Sequence, residues 1–217
     1  MTRFVLVHGS GGGAAYWSQV LPLLPDAVAV ELPPEATTWE ECLDAVRTDE
    51  PAVLVGQSMG AFVVALAAAR FPTAGAVLLA PMVPAPGETA GSWWERTGHA
   101  AAAAEAALRQ GLDPAAVVPG PGFDVDVTFL HDVPPEVLVE PPDPSWPAAA
   151  LFDAPYPLEA WPDVPTRVLA ARDDRLFPLP FVARLARERA GVEAEVLPGG
   201  HLVALSHPAA VATALRA

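Results

Sequence analysis

Short apolar runs along the chain alternate with segments whose apolar residues recur at the spacing of a helix. The runs are bounded by Gly, Pro or Asp and predict six strands: Arg3–Val7, Ala27–Glu31, Ala52–Val55, Ala74–Leu79, Thr166–Ala171 and Glu193–Leu197. Helical spacing predicts helices at Tyr16–Leu24, Trp39–Arg47, Met59–Arg70, Pro180–Arg189 and Pro208–Leu215. Strands that are apolar throughout and separated by helices are typical of a parallel sheet covered on both faces. We therefore expect an α/β fold.

This alternation stops between Met82 and Pro165, where prolines are too frequent for a long strand. The segment contains one stretch with helical spacing, Ser92–Arg109, and several large aromatic residues. Because so much aromatic surface is unusual in a chain that stays unpacked, a disordered linker is the weaker interpretation. We expect one domain over residues 1–217, in which residues 82–163 form an insertion of short helices and turns.

The composition is strongly acidic. The 217 residues have a formal net charge of −14, which disfavours binding to the polyanions of nucleic acid and anionic membranes. No stretch approaches the roughly 20 apolar residues that a membrane-spanning helix needs. With a single cysteine, and with no signal-peptide core near Met1, we expect a cytoplasmic protein that acts on a small molecule. These features do not fix an oligomeric state.

The stretch Gly56-Gln57-Ser58-Met59-Gly60 fits G-x-S-x-G where a predicted strand becomes a predicted helix. A serine at the apex of such a turn has a strained backbone, and side chains two positions away would collide with it unless those residues were glycine. The turn lifts the hydroxyl clear of the sheet and directs the N-terminus of the next helix at the atom under attack. Ser58 is therefore the candidate nucleophile.

A serine hydroxyl needs a base and an orienting carboxylate to act as a nucleophile. His201 lies on a Gly-Gly loop after the last predicted strand, whereas His207 precedes the proline that begins the final helix and is interpreted as structural. Asp173 and Asp174 both follow the strand Thr166–Ala171, and both are candidates for the acid. The order Ser, Asp, His along the chain is the one expected for this architecture.

The oxyanion formed during such an attack needs hydrogen-bond donors that are already in place. The backbone N–H of Met59, directly after the nucleophile, supplies one donor. The other is expected at the N–H of Ser10, in the glycine-rich turn His8-Gly9-Ser10-Gly11-Gly12-Gly13 after the first strand. No cluster of His, Cys and carboxylate residues has the spacing of metal ligands, so neither a metal nor an organic cofactor is expected.

Together these motifs resemble the α/β-hydrolase superfamily. The matching stretches are "LVHGSGGG" with "YW" behind it, "VGQSMGA", "AARDDRLFP" and "GGHLVALSHP", in that order. The resemblance covers roughly residues 1–82 and 163–217. It implies a compact α/β-hydrolase fold, with a mostly parallel six-stranded sheet, helices on both faces, and residues 82–163 as a small helical cap over the site.

The resemblance also implies a role for each candidate residue: Ser58 as nucleophile, His201 as base, and Ser10 with Met59 as oxyanion donors. The family's acid is an aspartate four residues before a proline. That pattern falls on Asp174 and Pro178, so Asp174 is preferred over Asp173.

The His-Gly, Tyr-Trp and small-cap features are most similar to the methylesterase and hydroxynitrile-lyase branch. In the lyases of that branch a lysine follows the catalytic histidine, and a threonine replaces the glycine of the His-Gly turn. Here these positions are Leu202 and Gly9, which favours ester hydrolysis over cyanohydrin cleavage. An aromatic-rich cap favours a moderately hydrophobic ester, thioester or lactone. Four cap residues either line its pocket or simply pack the cap onto the sheet: Trp93, Trp94, Phe129 and His131.

Two other functions fit parts of the sequence. The pattern Gly9-x-Gly11-x-x-Ala14 follows a strand, and Glu31 ends the second strand, as in a nucleotide-dependent oxidoreductase. That function leaves the serine, acid and base unexplained. The same fold also serves biosynthetic cyclases, dehydratases and non-hydrolytic binders, because a fold does not determine a function. The presence of all three reactive residues favours hydrolysis.

Overall fold

Six parallel strands form the centre of the protein, in a computed structural model that describes residues 3–138 and 149–217. The strands are β1 (Phe4–Val7), β2 (Ala27–Val30), β3 (Ala52–Gln57), β4 (Thr73–Leu79), β5 (Thr166–Ala171) and β6 (Ala194–Leu197). Their order across the sheet is β2-β1-β3-β4-β5-β6. The predicted six-stranded parallel sheet is confirmed.

The order of the strands changes direction at β1, which pairs with β2 on one side and β3 on the other. The loops that leave the carboxyl ends of β1 and β3 therefore diverge, and such a point is where α/β sheets open a crevice for a ligand. The glycine-rich turn follows β1, and Ser58 follows β3. The topology thus directs both segments to one edge of the sheet.

Helices cover both faces of the sheet. Within the described residues they are α1 (Trp39–Val46), α2 (Gly60–Ala68), α3 (Ala90–Arg96), α4 (His99–Arg109), α5 (Pro114–Val117), α6 (Ala149–Asp153), α7 (Leu179–Leu185), α8 (Val203–Ser206) and α9 (Pro208–Arg216). Residues of α1, α2 and α7 belong to one hydrophobic cluster, and residues of α8 and α9 belong to a second. In β1, Val5 and Val7 join the first cluster while Phe4 and Leu6 join the second, as expected for side chains that alternate across a strand.

All residues of α2 are buried, because this helix lies between α1 and the sheet. The burial explains why its sequence is apolar on every side. No helix in the described part of the chain is both long enough and apolar enough to cross a membrane.

The helix predicted at Tyr16–Leu24 is absent, and that prediction is wrong. The segment instead forms two short 3₁₀ turns, Ala14–Trp17 and Leu21–Leu23. Pro22 lies in the second turn, and a proline has no N–H to donate to the preceding turn of a continuous α-helix.

The single helix predicted at Ser92–Arg109 is divided into α3 and α4. The break is at Gly98, whose φ of +68° lies in the left-handed region that glycine adopts readily. The helix predicted at Pro180–Arg189 begins as α7 and continues as a wider π turn over Ala186–Ala190.

Between β4 and β5 the chain leaves the sheet and forms α3 to α6. The start of this segment is tied to the rest of the protein. The indole N–H of Trp93 donates to the Val83 carbonyl oxygen at 2.9 Å, and the buried Glu88 carboxylate pairs with Arg189, with Nη2 to Oε2 at 3.2 Å. The insertion expected at residues 82–163 includes residues 139–148, which lie outside the described part of the chain.

Candidate active site

Ser58 lies at the turn between β3 and α2, at the carboxyl edge of the sheet. Its φ is +52°, in the left-handed region, where a residue with a side chain is strained by about 1–2 kcal/mol. Two backbone hydrogen bonds hold the turn: Ser58 N donates to Leu79 O at 3.1 Å, and Met82 N donates to Ser58 O at 3.1 Å. The strained conformation is therefore fixed by its surroundings.

The glycines on either side of Ser58 allow close backbone contacts. A Cβ on Gly56 would lie 2.6 Å from the carbonyl carbon of Gly60, and a Cβ on Gly60 would lie 2.6 Å from the carbonyl oxygen of His8. Real Cβ atoms essentially never approach other atoms this closely. Glycine at both positions thus lets α2 begin directly against β3 and the end of β1.

The three predicted reactive side chains meet at this edge. His201 Nε2 lies 3.1 Å from Ser58 Oγ, and His201 Nδ1 lies 2.8 Å from Asp174 Oδ2. All three residues are buried, with exposed fractions of 8% for Ser58 and 2% for each of the other two. The structure therefore joins an acid, an imidazole and a hydroxyl into one hydrogen-bonded row.

The backbone hydrogen bonds around Asp174 determine which atoms of this row donate hydrogen bonds and which accept them. Asp174 Oδ1 accepts hydrogen bonds from Leu176 N at 2.9 Å and Phe177 N at 2.8 Å, which leaves Oδ2 for His201. Because a carboxylate only accepts hydrogen bonds, His201 Nδ1 must be the donor. Its Nε2 is then the acceptor that faces the hydroxyl of Ser58.

Asp173, the other candidate acid, lies elsewhere. Its carboxylate is about half exposed, pairs with Arg172 at 3.2 Å and accepts from Gly199 N at 3.2 Å. Burial opposes its charge, but the hydrogen bonds from Arg172 and Gly199 outweigh that effect and lower the pKa of Asp173. His207, at the start of α9, lies 2.9 Å from Ser206 Oγ through its Nδ1.

The turn after β1 passes directly against the candidate nucleophile. A Cβ on Gly9 would lie 2.8 Å from Ser58 Cβ, so the next residue, Ser10, is close to the site. On the other side, Met59 immediately precedes α2, where backbone N–H groups have no partner within the helix. The role of Ser10 and Met59 as oxyanion donors stays a prediction.

His8, to which the sequence pattern gives no role, holds this turn. Its Nε2 accepts from Leu32 N at 3.1 Å, so the hydrogen resides on Nδ1, which donates to Gly9 O at 2.9 Å. Burial lowers the pKa of His8, which favours the neutral ring. The residue thereby fixes the backbone next to Ser10.

The first turn does not suit a nucleotide. Glu31 Oε2 accepts the N–H of Ala14 at 2.7 Å, at the point where a dinucleotide's pyrophosphate would bind. The carboxylate would repel that pyrophosphate, and the four-residue 3₁₀ turn Ala14–Trp17 replaces the helix that would stabilise it. These contacts argue against a nucleotide-dependent oxidoreductase.

The predicted pocket residues lie at different depths. The ring of Phe129 is 5.3 Å from the ring of His201, and His131 packs beside Gly200, where a Cβ would lie 2.7 Å from His131 Cε1. Trp93 is fully buried and contacts Phe177 and Phe181, and Trp94 is half-buried against His99. A pocket role for these residues stays a prediction, and Phe129 is the one whose ring packs against His201.

Three further residues contact the site. The ring of Phe177 lies 5.0 Å from that of His201, Asp132 Oδ2 accepts from Gly200 N at 2.7 Å, and His99 Nε2 donates to Leu176 O at 2.7 Å. Phe177 could have been suspected from its place three residues after Asp174. Asp132 and His99 are 68 and 77 residues from their partners, so no local sequence pattern predicts these two contacts.

A groove of about 520 Å³ lies at the opposite edge of the sheet. It is lined by residues at the amino ends of the strands and at the end of the chain, including Phe4, Val53, Gly75, Arg167 and Arg216. The predicted reactive side chains lie at the carboxyl edge, where α/β sheets bind their ligands. We therefore place the candidate site at Ser58, not in this groove.

Comparison with known proteins gives a match over most of the chain. A family model described as the alpha/beta hydrolase family matches residues 4–214. A search of curated protein sequences finds no significant match.

Several solved structures share the fold at low sequence identity. A pyrethroid hydrolase from Sphingobium faniae JZ-2 is 22% identical with a TM-score of 0.75, over 99% of this chain and 96% of that one. Polyneuridine aldehyde esterase is 18% identical with a TM-score of 0.75, over 100% and 98% of the two chains. The methylesterase protein MES16 from Arabidopsis is 19% identical with a TM-score of 0.71, over 100% and 98%.

Proposed function

Because the chain belongs to the alpha/beta hydrolase family, we propose that it hydrolyses a small, moderately hydrophobic ester, thioester or lactone through an acyl-serine intermediate. The single observation that supports this most strongly is the hydrogen-bonded row of Asp174, His201 and Ser58. A hydroxyl hydrogen-bonded to an imidazole that a buried carboxylate orients is the arrangement that activates a serine.

In the first half of the reaction, His201 Nε2 takes the proton of Ser58 Oγ as that oxygen attacks the carbonyl carbon of the substrate. Asp174 stabilises the resulting imidazolium through Nδ1–H. The tetrahedral intermediate then expels its alcohol or thiol, which receives the proton from His201, and the acyl group stays on Ser58. The N–H groups of Ser10 and Met59 hold the negatively charged oxygen during this step.

In the second half, a water molecule takes the place of the alcohol. His201 removes a proton from the water as its oxygen attacks the acyl carbon, and a second tetrahedral intermediate forms. Its collapse breaks the bond to Ser58 Oγ, which recovers the proton from His201, and releases the carboxylic acid. The serine, acid and base return to their starting protonation states.

Two observations support the proposed substrate class: the side chains that contact His201, and the names of the solved structures with this fold. Phe129 and Phe177 both contact the ring of His201, so the nearest side chains favour an uncharged, partly apolar substrate. Two of the structures with this fold are named as esterases and one as a pyrethroid hydrolase. These names support ester cleavage as the reaction to test first.

Turnover of p-nitrophenyl esters of graded acyl length tests the proposal. Ser58→Ala should lower kcat by about 10⁴-fold or more, because the nucleophile is gone. Asp174→Asn should lower kcat by about 10⁴-fold through loss of the correct imidazole tautomer. Asp173→Asn, the matched control one residue away, should keep native turnover. Hydrolysis by Ser58→Ala at the native rate would contradict the acyl-serine mechanism. A folded native protein that hydrolyses none of the esters would favour a biosynthetic cyclase, a dehydratase or a binder on the same fold.

A further inference from the structure

We propose that Asp132 is a positioning residue for His201, and that the segment between β4 and β5 therefore holds the base of the reaction in place. The proposal rests on the proposed function, in which His201 is the base. The polar contacts that the structure gives Asp132 are with Gly200, His131 and His207, not with Ser58 or the ring of His201. Asp132 acts through the backbone of the loop that precedes His201.

The key contact is a hydrogen bond between distant parts of the chain. Asp132 Oδ2 accepts from the backbone N–H of Gly200 at 2.7 Å, and Gly200 is the residue directly before His201. The Asp132 side chain is only 18% exposed. A charge-assisted hydrogen bond shielded from water is stronger than a neutral or exposed one, so this contact restrains the loop effectively.

The loop needs such a restraint because it contains two consecutive glycines. Gly199 has a φ of +98°, and glycines give the backbone more freedom than any other residue. The close fit of the loop around the carboxylate also depends on them. A Cβ on Gly200 would lie 2.8 Å from Asp132 Oδ1, and a Cβ on Gly199 would lie 3.1 Å from Asp132 Oδ2.

Other contacts hold the same loop less firmly. Asp173 N donates to Gly199 O at 2.9 Å, and Asp173 Oδ2 accepts from Gly199 N, but this carboxylate is about half exposed. Gln57 Nε2 donates to His201 O at a longer distance of 3.4 Å. Among these contacts with the backbone of the loop, that of Asp132 is short, charged and largely shielded from water, and it lies next to His201 in the chain.

The residues just before Asp132 also contact the loop that contains Asp174. Arg175, the residue after Asp174, donates from Nη1 to Val127 O at 2.7 Å. Phe129 packs against the ring of His201. Val127 therefore contacts the loop of the acid, while Phe129 and Asp132 contact the base and its loop.

The first test measures ester turnover of Asp132 variants. Asp132→Ala should lower kcat by about ten- to a hundredfold with little change in KM, because a base displaced by about 1 Å loses catalytic efficiency without losing substrate contacts. Asp132→Asn should stay within roughly threefold of native kcat, because the amide oxygen still accepts from Gly200, although more weakly. Native kcat in Asp132→Ala, or equal loss in both variants, would overturn the proposal.

A matched control separates positioning from a general loss of stability. Thr128 is fully buried in the same segment, and its hydroxyl donates to Ala116 O at 2.7 Å, inside the insertion. Thr128→Val should lower Tm but keep native kcat and KM. If Thr128→Val loses as much kcat as Asp132→Ala, then the effect of Asp132 is general destabilisation and the proposal is wrong.

A second measurement is independent of turnover. Proton NMR of the native protein should show a downfield His201 Nδ1–H signal, from its hydrogen bond to Asp174. The signal should broaden or vanish in Asp132→Ala and remain in Asp132→Asn and Thr128→Val. If Asp132→Ala does not fold, Asp132→Ser, whose hydroxyl is too short to reach Gly200, replaces it in both measurements.

The two proposals fail in different ways. A native protein without esterase activity contradicts the proposed function, while the NMR signal still decides whether Asp132 positions His201. A native protein that hydrolyses esters, with unchanged kcat and an unchanged signal in the folded Asp132→Ala or Asp132→Ser variant, contradicts only the role of Asp132.

Discussion

At Ser58 the backbone adopts a conformation that residues with side chains normally avoid, with φ at +52°. The surrounding hydrogen bonds to Leu79 and from Met82 hold it there. Strain of this kind persists where the fold over-determines a functional residue. The flanking glycines made the site recognisable in the sequence, because only they allow the turn to form between β3 and α2.

This strain has a measurable effect on stability. Ser58→Gly should be more stable than Ser58→Ala by about 1 kcal/mol, because glycine adopts a left-handed φ without the Cβ clash that alanine retains. Urea denaturation of the two inactive variants gives the comparison. Equal stability, or a more stable alanine variant, would mean that the turn relaxes when the serine is removed.

Some residues of the candidate site could be predicted from the sequence, and others could not. Ser58, Asp174 and His201 were predictable, because each follows a strand in a recognisable motif. The contacts of Asp132 and His99 were not, since each residue meets its partner only through the packing of the insertion against the loops after β5 and β6. A local pattern contains no information about a contact between residues so far apart.

At the scale of elements, the strands were easier to predict than the helices. Parallel strands buried on both faces are short continuous apolar runs, and all six predicted runs correspond to β1–β6. Helical spacing, in contrast, does not reveal where the backbone must break. The spacing continues through Gly98, yet the left-handed φ of that residue separates α3 from α4.

The break at Gly98 should be required by the fold. Nothing lies within 4 Å of a Cβ placed on Gly98, so Gly98→Ala should lower the free energy of unfolding through backbone strain alone, by about 1–2 kcal/mol. Gly12→Ala is the control, because its Cβ would make ordinary contacts and no left-handed φ is involved. Thermal denaturation should show a lower Tm for Gly98→Ala only. A Tm at or above native would indicate that α3 and α4 can join into one helix.

At the scale of the whole molecule, stability should depend on pH through buried histidines. Burial lowers the pKa of His8 and His99 in the folded protein, from the ordinary value of 6.5. Below about pH 7 the unfolded chain therefore binds more protons than the folded protein does. The free energy of unfolding should fall as the pH decreases through this range. The carboxyl groups of Asp173 and Glu195, whose pKa values are lowered, contribute only at more acidic pH.

Urea denaturation near pH 7.5 and about pH 5.5 measures this dependence. The native protein should be less stable at the lower pH. His99→Gln should show a smaller loss, because glutamine still donates to Leu176 O and does not titrate. A native stability that is constant or rises toward the lower pH would contradict the assignment of neutral, buried imidazoles.

The proposed function depends most on Ser58 being a nucleophile that His201 activates. Reaction with a fluorophosphonate, followed by intact mass and peptide mapping, tests this most directly. We predict one adduct per chain, located on Ser58, with no adduct on Ser58→Ala and a much slower reaction of His201→Ala. An unmodified native protein, an adduct on another residue, or a native labelling rate in His201→Ala would contradict it.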